Sequence, residues 1–489
     1  MNDIREISGP RPAAQDRSVP KIAILGAGPA GIGAALRLAR DGLADVEVIE
    51  ARDRVGGNAA SFMLEGVHCD FGSHRLHPKL EPRIMTDIEA ALGPDLLWRP
   101  RHGRIRLQGR WIHFPLKPAD LVVHLPFSFV VSLGLDLARK ALPRKRPSEE
   151  SFASVLEGGL GSTMCRSFYF PYARKLWGLA PEGLAVTAAQ RRVAGSSIPK
   201  ILLKIVRQIP GLKPAKAGGF YYPRRGYGQI SEALRLAGEA HGARFVLGAR
   251  ISRIEHDGQR VHAIQYQKDG RTVETVVDAA WSTLPVSLLV QMMAPAAPRE
   301  ILAAAKAIRF RGMVLIYLVL EQDQFSEFDA HYFPEESIPV SRLSEPKNYS
   351  ATLEPRGLTV LCAELPSDPG EESWSLTDNE LGRQLCRWLA DVGLPVKAPI
   401  CKVLTQRLRQ AYPVYDRGYA KRFDAMDQWL SGFDGLLTFG RQGLFAHDNT
   451  HHALTMAYAA ADCLKPDGTF DRALWSRHRR EFESHVVED

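Results

Sequence analysis

The sequence predicts an α/β fold in which a parallel sheet with a phosphate-binding turn carries a second, inserted domain. Three stretches support this. Residues 21–57 read KIAILGAGPAGIGAALRLARDGLADVEVIEARDRVGG: an apolar run, a glycine turn, an amphipathic helix, a second apolar run ending in an acid, and a further glycine pair. Residues 224–236, RRGYGQISEALRL, look like another glycine turn feeding a helix, and residues 436–463 bring the run LLTFG, an arginine and the apolar helix ALTMAYAAADCL. A pattern that returns twice implies one domain in three pieces, 21–79, 221–295 and 426–489, with a second domain made of 80–220 (helix-rich) and 296–425 (strand-rich) between them. Residues 1–20 are polar and proline-bearing with no apolar core, which reads as a disordered lead-in and not a signal peptide.

Each part of the first stretch has a physical task. Gly26 permits the tight turn, Gly28 lets the backbone approach a pyrophosphate, and Gly31 lets the helix pack closely on its strand. Pro29 and Ala30 start that helix, whose free N–H groups then point at phosphate. Glu50, 19 residues beyond Gly31, is placed to accept hydrogen bonds from a ribose. After it, Ala51-Arg52-Asp53-Arg54-Val55-Gly56-Gly57-Asn58 continues the phosphate loop where a nicotinamide domain usually enters another helix. This resembles the E-x-R-x-x-x-GG signature of FAD enzymes in the glutathione-reductase-like superfamily, which includes amine oxidases, protoporphyrinogen oxidases and UDP-galactopyranose mutases. The resemblance implies a glutathione-reductase-like FAD-binding Rossmann domain assembled from three sequence segments, an inserted α+β substrate domain, and FAD as cofactor.

Residues 244–285 hold β-branched runs separated at Asp257-Gly258 and Asp269-Gly270, the pattern of antiparallel strands joined by tight turns. In the superfamily such a block sets a backbone group near Ile251 against the adenine. The last return supplies Gly440 and Arg441, and Asn449 with the following backbone is expected at the pyrimidine end of the flavin.

Within the insertions the likeness sharpens toward the mutases. Gly72-Ser73-His74-Arg75-Leu76-His77-Pro78 is similar to their GPHxFHT loop, which implies that His74 lies against the flavin ring. Phe170-Pro171-Tyr172-Ala173-Arg174-Lys175-Leu176-Trp177-Gly178 resembles their YxxKxWG segment, in which the aromatics, here Tyr172 and Trp177, border the sugar. Arg191 falls where the mutases carry a diphosphate-gripping arginine. The segment 338–347, IPVSRLSEPK, is similar to their VPYTRxxExK strand and offers Arg342, and Tyr412-Pro413-Val414 resembles a turn near the site. One departure stands out: the mutase tyrosine six residues after the GR arginine is replaced by His447, which is then expected at the substrate.

The residues themselves leave two chemistries open. Two arginines from separate segments could clamp a diphosphate bidentately, with aromatic walls excluding water. No triad, paired carboxylate or thiolate competes with the flavin as reactive centre. The mutase resemblance implies a nucleotide-sugar substrate, reaction at flavin N5 and the anomeric carbon, and no net redox change. The oxidase resemblance implies hydride abstraction from a C–H bond beside a nitrogen, oxygen or conjugated system. The histidines of 444–452, LFAHDNTHH, invite a metal reading, but His451 and His452 are adjacent on a helix and His447 lies only four residues earlier, so no metal is expected.

Composition fits a flavoenzyme. The 489 residues are 45% hydrophobic and 24% charged, enough for a large core. The net charge of +8 and pI near 9.1 favour an anionic small-molecule partner, and no nucleic-acid fingerprint is present. Six cysteines without CxxC spacing suggest neither disulfides nor zinc, and point to the cytoplasm. Residues 121–146, apolar and then basic, are too short and interrupted to span a bilayer but could dock peripherally on its inner face.

Overall fold

The computed structural model describes residues 19–115, 120, 123–139, 150–193 and 218–487. The run KIAIL forms strand β1 (Lys21–Leu25), and DVEVI forms β2 (Asp45–Ile49). They lie in a five-stranded sheet in the order Leu436–Thr438, Ala279–Ser282, β1, β2, Arg244–Val246. Every neighbouring pair is parallel. A parallel sheet is covered on both faces, which explains why Ala23 and Ile24 are equally inaccessible although they point to opposite sides. Helix α1 (Pro29–Arg40) covers one face together with Gln229–Ala240 and Thr450–Asp462, burying Ile32, Leu36, Leu454 and Ala457 in one cluster. Strands Arg250–His256, Val261–Lys268 and Arg271–Val276 are antiparallel, with Asp269 and Gly270 at positive φ in the predicted turn.

A seven-stranded sheet forms the second layer, in the order Ile400–Pro413, Phe310–Leu320, Thr359–Pro366, Arg342–Ser344, Ala330–Tyr332, Gly103–Leu107, Arg110–Phe114. The strand Phe310–Leu320 shows the period of two. Val314, Ile316, Leu318 and Leu320 meet Leu381, Leu385 and Leu389 of the helix Asp378–Asp391. Met313, Leu315, Tyr317 and Val319 meet Leu64, Val67 and Cys69 of the hairpin Ser61–Asp70. That hairpin therefore sits against the second sheet while its chain neighbours belong to the first.

Two features of 80–220 differ from expectation. The segment also holds strands Leu96–Pro100, Gly103–Leu107 and Arg110–Phe114, the last two joined by Gln108 and Gly109 at positive φ, the geometry of a tight hairpin turn. Helix α2 (Pro82–Leu92) packs Ile84, Ile88 and Leu92 into the core of the parallel sheet, not into the second layer.

Candidate cofactor and substrate site

The three glycines of the first turn do three different things. Gly26 has φ +101°, a conformation open to few residues with a side chain. A Cβ on Gly31 would stand 2.0 Å from the Gly26 carbonyl oxygen, so the helix packs directly on its own turn. A Cβ on Gly28 would meet nothing within 4 Å: the backbone there faces open space at the N-terminus of α1, with no side chain capping it. Orphan N–H groups beside open space suit an anion. The second glycine pair lies alongside, with Gly56 N–H donating to Ala27 O (2.7 Å) and the Gly57 Cβ position 3.4 Å from Gly28 Cα. Gly440, at φ +78°, closes the third side, since a Cβ there would press on Ala30 at 2.8 Å.

Glu50 is buried at the end of β2, and its carboxylate accepts from Ala27 N–H (2.8 Å) and Arg52 N–H (2.9 Å). It thus braces the glycine turn. Gly248 and Ala249 donate to the carbonyls of Arg52 and Glu50 (both 2.8 Å), which seats the strand of Ile251 beside Ala51. Arg52 reaches Gly57 O (3.0 Å) and lies over the Phe71 ring. These contacts form a continuous cradle whose open helix N-terminus and glycine-lined backbone suit the pyrophosphate of a dinucleotide such as FAD.

The cradle leads to a junction of four segments. Asn58 Nδ2 and Gln442 Nε2 both donate to Gln410 O (3.3 and 2.9 Å), and Arg441 donates to Ala411 O (2.8 Å) and Asp448 O (2.5 Å). Asn449 caps the helix Thr450–Asp462, its N–H donating to His452 Nδ1 (3.2 Å). Opposite them, the hairpin ends at Asp70, and Gly72-Ser73-His74 turns onto the second sheet. Ser73 N–H donates to Glu364 Oε1 (2.7 Å), and its hydroxyl meets the Tyr349 hydroxyl at 2.5 Å.

His74 stacks on Tyr227 with ring centroids 5.2 Å apart. Its Nε2 lies 3.1 Å from Phe71 O; a carbonyl accepts only, so Nε2 carries the proton and Nδ1 is left as an acceptor. Burial holds the imidazole below its usual pKa, with Arg342 adding to the effect against the opposing pull of Asp70, so His74 is neutral near pH 7. Asp70, itself pushed up by burial, accepts from Ser61 Oγ, Tyr222 OH and Tyr227 N–H.

The six residues expected at the substrate are divided by the fold. Tyr412, His447 and Trp177 form a chain of rings, with centroids 4.9 Å and then 6.4 Å apart, and Arg342 lies within electrostatic reach of Tyr412. Trp177 is also buried edge-on against Phe152. Tyr172 is half-buried beside Phe168, its ring 6.0 Å away.

The two arginines expected as a free diphosphate clamp are instead neutralised within the protein. Arg342 makes a bidentate pair with Glu364 (Nε 2.9 Å, Nη2 3.0 Å) and donates to Ser73 O (3.1 Å). Arg191 pairs with Asp448 Oδ1 at 3.3 Å. The physical reason is burial: guanidinium groups this enclosed need a counter-charge. Glu364 is a lone charge inside the otherwise apolar strand TVLCAELP, the one sequence signal that could have exposed this pairing.

Asp448 also gathers His485 Nδ1 (3.3 Å) and His452, whose rings stack at 4.3 Å, and the three can bring ligand atoms within 4.8 Å of one another. Sequence reasoning on 447–452 did not reach His485, 33 residues beyond His452. Arg191 already holds the carboxylate and Asn449 N–H already occupies His452 Nδ1, so the cluster forms an ion and hydrogen-bond network in which a dication would face a guanidinium.

The cradle and the junction define an FAD-binding α/β protein. Residues 29–445 match the family described as flavin containing amine oxidoreductase, and the chain belongs to that family. It is a flavoenzyme, and its cofactor is FAD. Among curated relatives, a protein of Mycobacterium tuberculosis named as a flavin-containing monoamine oxidase, AofH, is 26% identical over 254 residues, covering 49% of this chain and 52% of that protein. The chain thus aligns to about half the length of that relative. A crystal structure of reduced UDP-galactopyranose mutase superposes with a TM-score of 0.78 over 96% of this chain and 100% of that one, at 21% identity. A protein named as a protoporphyrinogen oxidase from Exiguobacterium sp. 255-15 gives 0.67 over 91% and 98%, at 19% identity. At these identities the two structures speak to the fold alone.

Proposed function

We propose that this protein is an FAD-dependent oxidoreductase that removes a hydride from a C–H bond beside a nitrogen, oxygen or conjugated system of a neutral or cationic organic substrate. The observation that carries this reading is the internal neutralisation of Arg191 and Arg342. A diphosphate docked there would add two negative charges to pairs already balanced by Asp448 and Glu364, in a buried setting where that costs heavily. FAD, when bound, supplies the hydride acceptor. The chain's own residues do the rest. Gly28, Gly57 and the N-terminus of α1 hold the pyrophosphate, and Asn58, Arg441 and Gln442 fix strand 410–412 beneath the flavin position. Trp177, Tyr412 and His447 wall out water. His74, neutral, has Nδ1 available to take a proton from substrate nitrogen or oxygen.

A second reading keeps a nucleotide-sugar substrate and redox-neutral chemistry. It is supported by the contiguity of Arg342, Tyr412, His447 and Trp177, which come from four separated segments. One experiment separates the two. The purified yellow protein is mixed anaerobically with a panel of amines and with UDP-sugars, with and without prior dithionite reduction. Bleaching of the oxidised flavin by an amine, with no reductant added, supports the oxidoreductase. Turnover of a UDP-sugar that requires dithionite, with no bleaching by any amine, replaces it with the mutase reading.

A further inference from the structure

The helix Phe127–Arg139 presents two opposed apolar faces, although a helix on a protein surface needs only one. Leu125, in the turn before it, and Phe129 are buried against Ile105, Leu107 and Ile112 of the hairpin 103–114. Facing away, Phe127, Val131 and Leu135 recur every four residues with Val130 beside them, Val123 is exposed in the helical turn before Leu125, and Phe127 is 83% exposed. These five are among eleven large hydrophobic residues exposed in the described chain, so the exposure is concentrated in one stripe, not scattered. The helix's one acid, Asp136, is turned inward, where it accepts from Thr163 N–H (2.6 Å). Exposed Arg139 ends the helix, and the sequence continues Lys140, Arg144, Lys145 and Arg146 with no acid before Glu149. Part of the expected docking segment, residues 121–122 and 140–146, lies outside the described residues.

We propose that this helix face docks on an anionic lipid surface, seating the protein in the membrane interface without crossing it. Among the described residues no helix is long and apolar enough to span. An apolar stripe that ends at exposed Arg139, where the sequence continues basic, matches the acyl boundary and anionic headgroups of a bilayer together. The Asp136 to Thr163 hydrogen bond ties the docked helix to the segment that runs on to Tyr172 and Trp177, so the lipid surface would stand beside the substrate lobe.

The test uses the full FAD-loaded protein with vesicles of phosphatidylcholine alone and of phosphatidylcholine with phosphatidylglycerol. Cosedimentation with the anionic vesicles, weakened by salt, is expected, and Phe127→Asp with Val131→Asp lowers the partition coefficient by about tenfold or more, with flavin content unchanged. Hydrogen exchange on the wild type provides a readout that needs no variant: anionic vesicles slow exchange in 123–139. Absence of binding, equal binding to both vesicle types, or protection confined to other segments overturns the proposal. So does a wild-type dimer that Phe127→Asp dissociates, which would make the stripe a contact between copies.

Discussion

At the residue scale, Gly28 and Gly31 separate binding from folding. Gly28 has an ordinary extended backbone (φ −75°) and open space where a side chain would go, so Gly28→Val should leave the apoprotein's melting temperature nearly unchanged while abolishing FAD retention. Gly31→Ala should do the reverse in kind: its methyl would lie 2.0 Å from a backbone oxygen, a clash that only movement of α1 relieves, and the soluble yield should collapse with the flavin. Absorbance of the bound flavin and a thermal melt of each variant check both. His74 is the second residue-scale case. With Nε2–H held by Phe71 O and a neutral ring, His74→Ala should lower turnover by about 10- to 1,000-fold with FAD still bound, and shift the flavin reduction potential. If His74 merely ties down its loop, the melting temperature falls and the potential stays where it was.

At the element scale, the Gly72–His74 loop is fastened to the strand Thr359–Pro366 by one carboxylate. Glu364 accepts from Ser73 N–H and from the Arg342 guanidinium at once, and Arg342 returns a hydrogen bond to Ser73 O. Arg342→Ala leaves that carboxylate buried without its charge partner and should cost about 3 to 5 kcal/mol of stability. Combining Arg342→Met with Glu364→Gln removes both charges and keeps an oxygen for Ser73 N–H, so the double variant should recover more than half of the loss. Urea unfolding of these proteins and of the single variants Arg342→Met and Glu364→Gln measures this, and an additive double variant would show that the two side chains are not coupled. Elements were legible in the sequence to different degrees. α1 and β2 announced themselves through glycine spacing and an apolar run ending in an acid. The hairpin 103–114 was hidden in a stretch read as helix-rich, because its turn, Gln108-Gly109, lacks the Asn-Gly or Asp-Gly signature that marked 257–258 and 269–270.

At the scale of the whole molecule, burial of histidines sets a pH dependence. His331, enclosed by Trp111 and Phe328 near Arg104, and His452, beside His451 and His485, are each lowered to about 3, chiefly by burial. Both are neutral in the fold, whereas in the unfolded chain each takes a proton below about 6.5. The unfolded state therefore binds more protons between those values, and the contribution to stability is fully present above about pH 6.5 and lost progressively as pH falls toward 3. Melting temperatures measured from pH 7.5 down to 4 should fall steadily, and His331→Gln should flatten the decline; a profile unchanged by that substitution would mean that His331 is not among the groups responsible.

The sequence by itself determined the glycine turn, helix and acid of the first stretch, because these parts are local: a turn needs glycine within a few residues, a helix N-terminus follows it directly, and the acid closes the next strand. Gly26, Gly28, Gly31, Glu50 and Gly56-Gly57 all act within one contiguous stretch of 21–57. Only the tertiary structure decided which charges cancel. Arg191 meets Asp448 from 257 positions away and Arg342 meets Glu364 across two strands, so the free clamp that residue types suggested becomes two internal pairs. The same holds for His485 beside Asp448 and for the exposed stripe from Val123 to Leu135. Spacing along the chain says which residues can share a face; whether that face meets protein, cofactor or solvent depends on how the layers pack, and no local pattern encodes it.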